Sequence, residues 1–273
     1  INGSVGKCVA SELSGGQEVL AHVTGCTSDG TVGVRLKANS LVWGSTTGPS
    51  SASNSPFITL DNRGPLNLGL ATNAKSPTKS ATITYTLSFD ETITGLTSGD
   101  FVNLGTATGC QFAPNASFGT SFTIAVTGCS KTGTLQPKLL NAAVTDVAEN
   151  AGGAVTSAKK ITLDRVKPTL RSMVVTPVVT TSRSLQFRIS ATNAGESLNC
   201  GSITASDFLI TAGRFAKATA SGTACLISIT STVAMGGSGQ TAVAKARSLK
   251  IADKAGNLAS TVSGLPLLWR IAA

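Results

Sequence analysis

The phrase Ile161-Thr162-Leu163-Asp164-Arg165-Val166-Lys167-Pro168 repeats Ile58-Thr59-Leu60-Asp61-Asn62-Arg63-Gly64-Pro65 at an offset of 103 residues. In both places a short apolar alternation ends in an Asp, and the chain restarts after a Pro. Proline has no amide to add to a strand ladder and it fixes its own φ. Each phrase therefore reads as the stiff end of one unit and the start of the next. A chain with this recurrence folds as tandem copies of one module, divided into 1–65, 66–168 and 169–273. The last two pieces have the size of an independent domain, and the first is too short to be a full copy.

The middle copy shows what kind of module it is. Ile83, Tyr85, Leu87 and Phe89 alternate with Thr and Ser, which places four large apolar side chains on one face of a strand. Gly95-Leu96-Thr97-Ser98-Gly99-Asp100-Phe101 follows as a compact turn, with Asp100 capping it. Phe122, Ile124 and Val126 alternate into Thr127-Gly128-Cys129; Asp146-Val147-Ala148-Glu149-Asn150 makes a polar turn; and Val155 through Leu163 reads as the final strand. The third copy keeps the order. Leu185, Phe187 and Ile189 match the alternating strand, Thr204 to Phe208 match Thr97 to Phe101, and Cys225, Ile227 and Ile229 stand for Phe122, Ile124 and Val126. Asp253-Lys254-Ala255-Gly256-Asn257 then repeats the pattern D-x-A-x-N. Only 13% of residues are charged, and no Glu/Lys-rich helical periodicity competes with the alternation, so the fold class is all-β, a series of β-sandwiches.

The first copy holds only the later part of the module. Val19, Ala21 and Val23 before Thr24-Gly25-Cys26 match Phe122 to Cys129, while Trp43-Gly44-Ser45-Thr46-Thr47 stands where D-x-A-x-N is expected. Nothing matches the Ile83–Phe89 strand, so unit one is expected to be a truncated domain with uncovered apolar residues and open strand edges. The missing strands would come from an upstream part of a longer polypeptide, the preferred account, or from a neighbouring subunit by strand addition. Ile1 follows neither an initiator Met nor a signal peptide, which reads as a mature product or a fragment.

Six cysteines fall two per unit, and the chain has a single His. Zinc spacing is absent, so the cysteines read as structural disulfides within units: Cys8 with Cys26, Cys110 with Cys129, Cys200 with Cys225. That implies an oxidising compartment, extracellular, cell-surface or periplasmic, with the first two expected. Unit three carries ten Lys/Arg against three Asp/Glu, unit two eight against six, and unit one four against four. Arg171, Arg183, Arg188, Arg214, Lys217, Lys245, Arg247 and Lys250 are the candidate polyanion-binding residues, facing an acidic glycan or another anionic surface. The alternative reading of this charge is the solvated outer faces of strands. With aromatics at 4% and no nucleic-acid motif, nucleic acid is not expected as a partner. No apolar run is long enough to span a bilayer, so membrane insertion is not expected either.

The alternating strand ending Ser88-Phe89-Asp90-Glu91, the Thr97-to-Phe101 turn, D-x-A-x-N and Ile-Thr-Leu-Asp-x-x-x-Pro, in that order, resemble the bacterial immunoglobulin-like (Big-type) tandem repeats of large secreted adhesins and surface proteins. The resemblance covers about 65–273 well and 1–65 in part. It implies seven-stranded sandwiches serving as stalk, spacer or filament, with neighbouring copies or domains of the same surface protein as partners. In many relatives more acidic linkers bind calcium. Here Arg63, Arg165 and Lys167 flank Asp61 and Asp164, and no cofactor or metal site is expected.

Catalysis finds no support in the sequence. His22 is expected to face solvent, no second His can build a triad, and Asp90-Glu91 reads as a strand terminus. The D-x-A-x-N turns could hold a cation through Asp146, Glu149 and Asn150, but they read first as turns in which the Asp bonds local amides. Trp43 and Trp269 could be sugar-stacking platforms, and read first as partly buried residues at domain ends.

Overall fold

The computed structural model describes residues 1–14, 20–233, 241–246 and 250–272. The side chains of 12–14, Trp43 and 241–246 are not described.

Unit two is a sandwich built on one long strand, Ile83–Thr94. It pairs antiparallel with Asn67–Ala71 on one side and Gly119–Thr127 on the other, and Gln111–Pro114 lies beyond Gly119–Thr127. Alternation makes this sheet: Ile83, Tyr85, Leu87 and Phe89 turn inward opposite Val126, Ile124 and Phe122, and Thr84, Thr86 and Ser88 turn out. The facing layer holds Phe101–Asn103, Pro137–Leu139 and Val155–Thr156, and continues as Thr132–Leu135 paired with Ile161–Asp164. Its inward residues Phe101, Leu135, Leu139, Ile161 and Leu163 join the first sheet's in one buried cluster, which makes the two layers one core. Two details differ from the sequence expectation. Asp90 and Glu91 do not end their strand; it passes through them to Thr94 across a register shift, and Ile93–Thr94 pair with Thr145–Asp146. The expected final strand is split into Val155–Thr156 and Ile161–Asp164, which pair with different partners.

Unit three repeats the sandwich in register. A five-stranded sheet runs Gly213–Ser221, Ala224–Ser231, Ser184–Ala191, Thr169–Val174, Thr261–Ser263, and a four-stranded sheet runs Val179–Thr180, Leu267–Ile271, Thr241–Ala246, Phe208–Thr211. Leu185, Phe187 and Ile189 sit opposite Ile229, Ile227 and Cys225, as Ile83, Tyr85 and Leu87 sit opposite Val126, Ile124 and Phe122. All twelve are buried. The turns after these strands also match. The carboxylate of Asp100 accepts from the amide and hydroxyl of Thr97, and that of Asp207 from those of Thr204. Trp269, on the last strand of unit three, is not partly but fully buried, packed against Phe187, and donates its indole N–H to Thr176 O at 3.2 Å.

Unit one follows the later part of unit two. Its ladder pairs Gly30, Thr31 and Val32 with Leu60, Thr59 and Ile58, and unit two pairs Gly133, Thr134 and Leu135 with Leu163, Thr162 and Ile161. Its hairpin Val9–Ser14 with Leu20–Thr24 corresponds to Gln111–Pro114 with Gly119–Thr127. The cover is what differs. Among the described residues of unit one Val32 is the one buried large hydrophobic, while Val9, Leu20, Phe57 and Ile58 are each about three-fifths exposed. Of the expected apolar row, Ala21 is exposed and Val23 half-buried, and Val19 lies outside the described residues.

Candidate functional site at the repeat junctions

The D-x-A-x-N turn is more than a local turn. In unit two the amide of Asn150 donates to Asp146 Oδ1 at 2.9 Å and its Nδ2 to Asp146 Oδ2 at 2.8 Å. That same Nδ2 reaches the carbonyl of Asp61 at 3.0 Å, just past the last strand of unit one. Unit three does the same. Asn257 donates to Asp253 Oδ1 and Oδ2 at 2.8 Å each, and to the carbonyl of Asp164 at 2.9 Å. Asp146 and Asp253 are each only 1% exposed, so their charge is held by these donors rather than by water. Each junction is thus clamped by an Asn of the following unit gripping the backbone that leaves the preceding one.

The residue after each gripped Asp anchors the linker to the unit it has just left. Arg165 donates to the carbonyls of Cys129 at 2.8 Å, Ser130 at 3.0 Å and Ser80 at 2.7 Å. Asn62, at the matching position, donates from its amide to Asp29 Oδ1 at 2.8 Å and from Nδ2 to Ser28 O at 3.2 Å. Each junction then has a tie of its own. At the second, Lys79 Nζ donates to Gly256 O at 2.7 Å, bridging units two and three directly. At the first, Arg63 pairs with Asp90 at 3.0 Å and lies 3.8 Å from Asp29. There the linker also runs against the unit-two turn so closely that a Cβ on Gly64 would meet Ala151 O at 2.1 Å. The position matching Gly64 is Lys167, which is exposed.

The clamps bring acids together. Carboxylate oxygens of Asp61, Glu91 and Asp146 lie within 4.8 Å of one another, and so do those of Asp164, Glu196 and Asp253. Burial, followed by Asp61, Asp146 and Asp90, pushes the Glu91 carboxyl up, with Arg63 pulling the other way. Burial, then Asp164 and Asp253, raises Glu196. Burial raises Asp164 as well, with the amide of Val166 opposing and Asp253 adding. Asp90, beside the first cluster, is shifted down by the Leu66 amide and by Arg63. Glu91 Oε1 is buried with no hydrogen-bond partner. An oxygen-only set fits a hard divalent cation such as calcium, and at the first junction the orphaned Glu91 Oε1 adds to that fit. Asp61, Glu91 and Asp146 would hold it at one junction, and Asp164, Glu196 and Asp253 at the other. A bound cation would cancel the mutual repulsion of the three carboxylates.

These groupings are not those the sequence suggested. Glu149 is exposed at a φ of 70° and takes no part, and the third acid of each cluster comes from Glu91 or Glu196. A signal was present: Glu196 is the one acidic residue between the alternating strand and the Thr204 turn of unit three, where unit two has Asp90-Glu91.

Of the candidate polyanion-binding residues, Arg171, Arg188, Arg214 and Lys217 are exposed on strands of one five-stranded sheet, with side chains on its outer face. Arg183 is exposed just before the Ser184–Ala191 strand, and Lys250 is exposed outside that sheet's strands. The side chain of Lys245, and Arg247 altogether, lie outside the described residues. His22 is exposed on its hairpin strand.

The three cysteine pairs are disulfides: Cys8–Cys26, Cys110–Cys129 and Cys200–Cys225. The first two close the open ends of equivalent hairpins. The third ties a short 3-10 turn to the fully buried Cys225, in the core place of Phe122. Such bonds persist in oxidising compartments outside the cytosol. Among the described residues no helix is long and apolar enough to cross a membrane.

No family model matches the chain, and no curated protein sequence does. Among solved structures it is similar to Yersinia pseudotuberculosis InvD, at 14% identity and a TM-score of 0.34 over 75% of this chain and 57% of that one. It is similar to the N-terminal part of the bacterial S-layer protein SbsC, at 10% identity and a TM-score of 0.24 over 77% of this chain and 44% of that one. It is also similar to Dpr2 Ig1-Ig2 in complex with DIP-Theta Ig1-Ig3, at 7% identity and a TM-score of 0.21 over 75% of this chain and 94% of that one. The chain thus spans about half the length of the first two, and likenesses this distant carry no argument about its function. The chain's own sheets and crosslinks define its class, an all-β series of tandem immunoglobulin-like sandwiches with one disulfide in each unit.

Proposed function

We propose that this chain is a non-catalytic structural segment of an extracellular bacterial surface fibre, stalk or adhesin, whose work is to hold successive domains in a fixed relation. One observation carries the reading: the same Asn-to-linker clamp recurs at two successive junctions, on residues 107 apart in the two D-x-A-x-N turns. A chain of independent binding modules needs no such device, because its linkers can be flexible. Disulfides fit a protein exposed outside the cell, where the oxidising environment keeps such bonds formed. The exposed apolar residues of unit one fit a segment completed by strands from outside residues 1–65, supplied by the same polypeptide or by a neighbouring copy. Small-angle scattering tests the clamp. The chain carrying Asn150→Ala and Asn257→Ala is expected to sample bent forms and lose the longest interatomic distances of the wild type. An unchanged distance distribution would reject the reading.

A further inference from the structure

Unit three differs from unit two most on one surface, the outer face of its five-stranded sheet. The matched registers allow a position-by-position comparison. Arg188 stands where unit two has Thr86, and Arg171, opposite Ser190, stands where Gly69 lies opposite Ser88. Arg214 opposite Thr230 replaces Gln111 opposite Thr127, and Lys217 opposite Ser228 replaces Ala113 opposite Ala125. Four cations thus stand at positions that carry Thr86, Gly69, Gln111 and Ala113 in the sister module. The strands of this sheet carry no Asp or Glu, and among the described residues no ion pair neutralises these cations. Solvated strand faces usually mix signs. A single-sign face confined to one repeat is therefore a feature of that repeat and not of the scaffold.

The chemistry of the face narrows the partner. With strands about 4.8 Å apart, cations on three strands of this sheet, with the uncharged Ala224–Ser231 strand between two of them, form a flat array on the order of 15 Å across. Between them lie Ser190, Thr219 and Thr230, short hydroxyls suited to sugar hydroxyls. No aromatic side chain lies on the face for bases to stack on, and no helix is there to enter a groove. Its apolar content is the exposed Met173 and the half-buried Leu226, too little to enter a bilayer. We propose that the outer face of the unit-three sheet binds a linear anionic polysaccharide through Arg171, Arg188, Arg214 and Lys217. This goes beyond the structural reading and does not depend on it, since a rigid segment and a flexible one could equally carry such a face.

The test uses the full chain with heparin as a sulfated probe and alginate as a carboxylated one, at about 0.15 M salt. Arg188→Gln/Arg214→Gln/Lys217→Gln is compared with a control that removes the same charge from unit two, Lys131→Gln/Lys159→Gln/Lys160→Gln. All six residues are exposed, so folding is expected to survive, and the melting temperature checks this. The face variant is expected to lose about tenfold or more in affinity for at least one probe, the control no more than about twofold, and wild-type binding to weaken steeply with added salt. Equal losses in both variants would mean net charge alone and overturn the proposal. So would failure of the wild type to bind either polysaccharide, or tighter wild-type binding to duplex DNA or to vesicles of anionic phospholipid.

Discussion

Units two and three share their core registers, their capped turns and their junction clamp, yet they differ in crosslink and outer sheet face. In unit two the disulfide closes the end of a hairpin, and a Phe fills the core site that Cys225 takes in unit three. What is held constant is therefore what makes a sandwich and joins it to the next. What varies is attached to that frame at positions where either solution packs. The comparison gives each unit an internal control in the other.

The largest expected effect separates the two crosslinks. Removing either bond opens a loop of about 20 to 25 residues, worth about 3 kcal/mol in the loop-entropy account. Cys225 is also a buried core residue, so Cys200→Ala/Cys225→Ala is expected to exceed that figure, while Cys110→Ala/Cys129→Ala stays near it. Chemical unfolding followed by hydrogen exchange, peptide by peptide, assigns each loss to its unit. A larger loss in unit two would break the distinction between a core crosslink and a hairpin-end one.

Next come the clamps. Asn150→Ala and Asn257→Ala each leave a buried carboxylate short of donors and a linker carbonyl ungripped, a loss of roughly 1–3 kcal/mol for each unit. Equal losses are expected because the bonds match to within 0.1 Å at each position. If Asn150→Ala proves silent, the first junction is held by Gly64 and Arg63 instead, and the clamp is a property of the second alone.

A smaller effect, of the opposite sign, tests the core. Tyr85 is fully buried, its hydroxyl has no hydrogen-bond partner, and burial pushes its pKa up to about 12. Unit three has Phe187 at this place. Tyr85→Phe removes an unsatisfied polar group with almost no change of shape, so it is expected to stabilise unit two by about 1 kcal/mol. A destabilised Tyr85→Phe, measured by the same unfolding assay, would mean that the hydroxyl has a bonded partner.

The core and the turns were legible because they are written locally. Alternation fixes which residues of 83–89 and 185–189 turn inward, and T-x-x-D-F closes its own hydrogen bonds within four residues. The junction was legible as a boundary but not as a device. Its Asn bonds a residue 89 or 93 positions away, and its carboxylates come from three separate stretches, so no local pattern joins them. The charge excess of unit three was plain in composition, whereas the gathering of four of its cations on one face depended on strand register, and a one-residue slip would have placed those four in the core. The strand through Asp90-Glu91 was cut short because adjacent acids read as a terminus; the register shift there lets both face the junction instead.

The smallest effect sets one junction against the other by pH and cation. Glu196 and Asp164 have folded-state pKa values raised above their ordinary ones, so the folded state holds those protons more tightly than the unfolded chain. Their charged forms destabilise the fold at neutral pH. That penalty is relieved as pH falls through the raised values, and it vanishes below the ordinary carboxyl range near 4. The first junction is mixed. Glu91 behaves in the same way, but Asp90 is shifted down, so its contribution is present at neutral pH and is lost as pH falls below that range. Acidification from pH 7 toward the ordinary carboxyl range is therefore expected to raise the melting temperature of unit three, which carries Glu196 and no lowered carboxyl to oppose it. Glu196→Gln should produce part of that rise at pH 7 and weaken its pH dependence, leaving the share that belongs to Asp164. Calcium should act as the proton does, by offsetting the charge of the cluster, and its effect should disappear in Glu196→Gln and return to the apo value with a chelator. A melting temperature of unit three that is indifferent to both pH and calcium would mean that its carboxylates are relaxed apart in solution. The two junctions would then differ only in their hydrogen bonds.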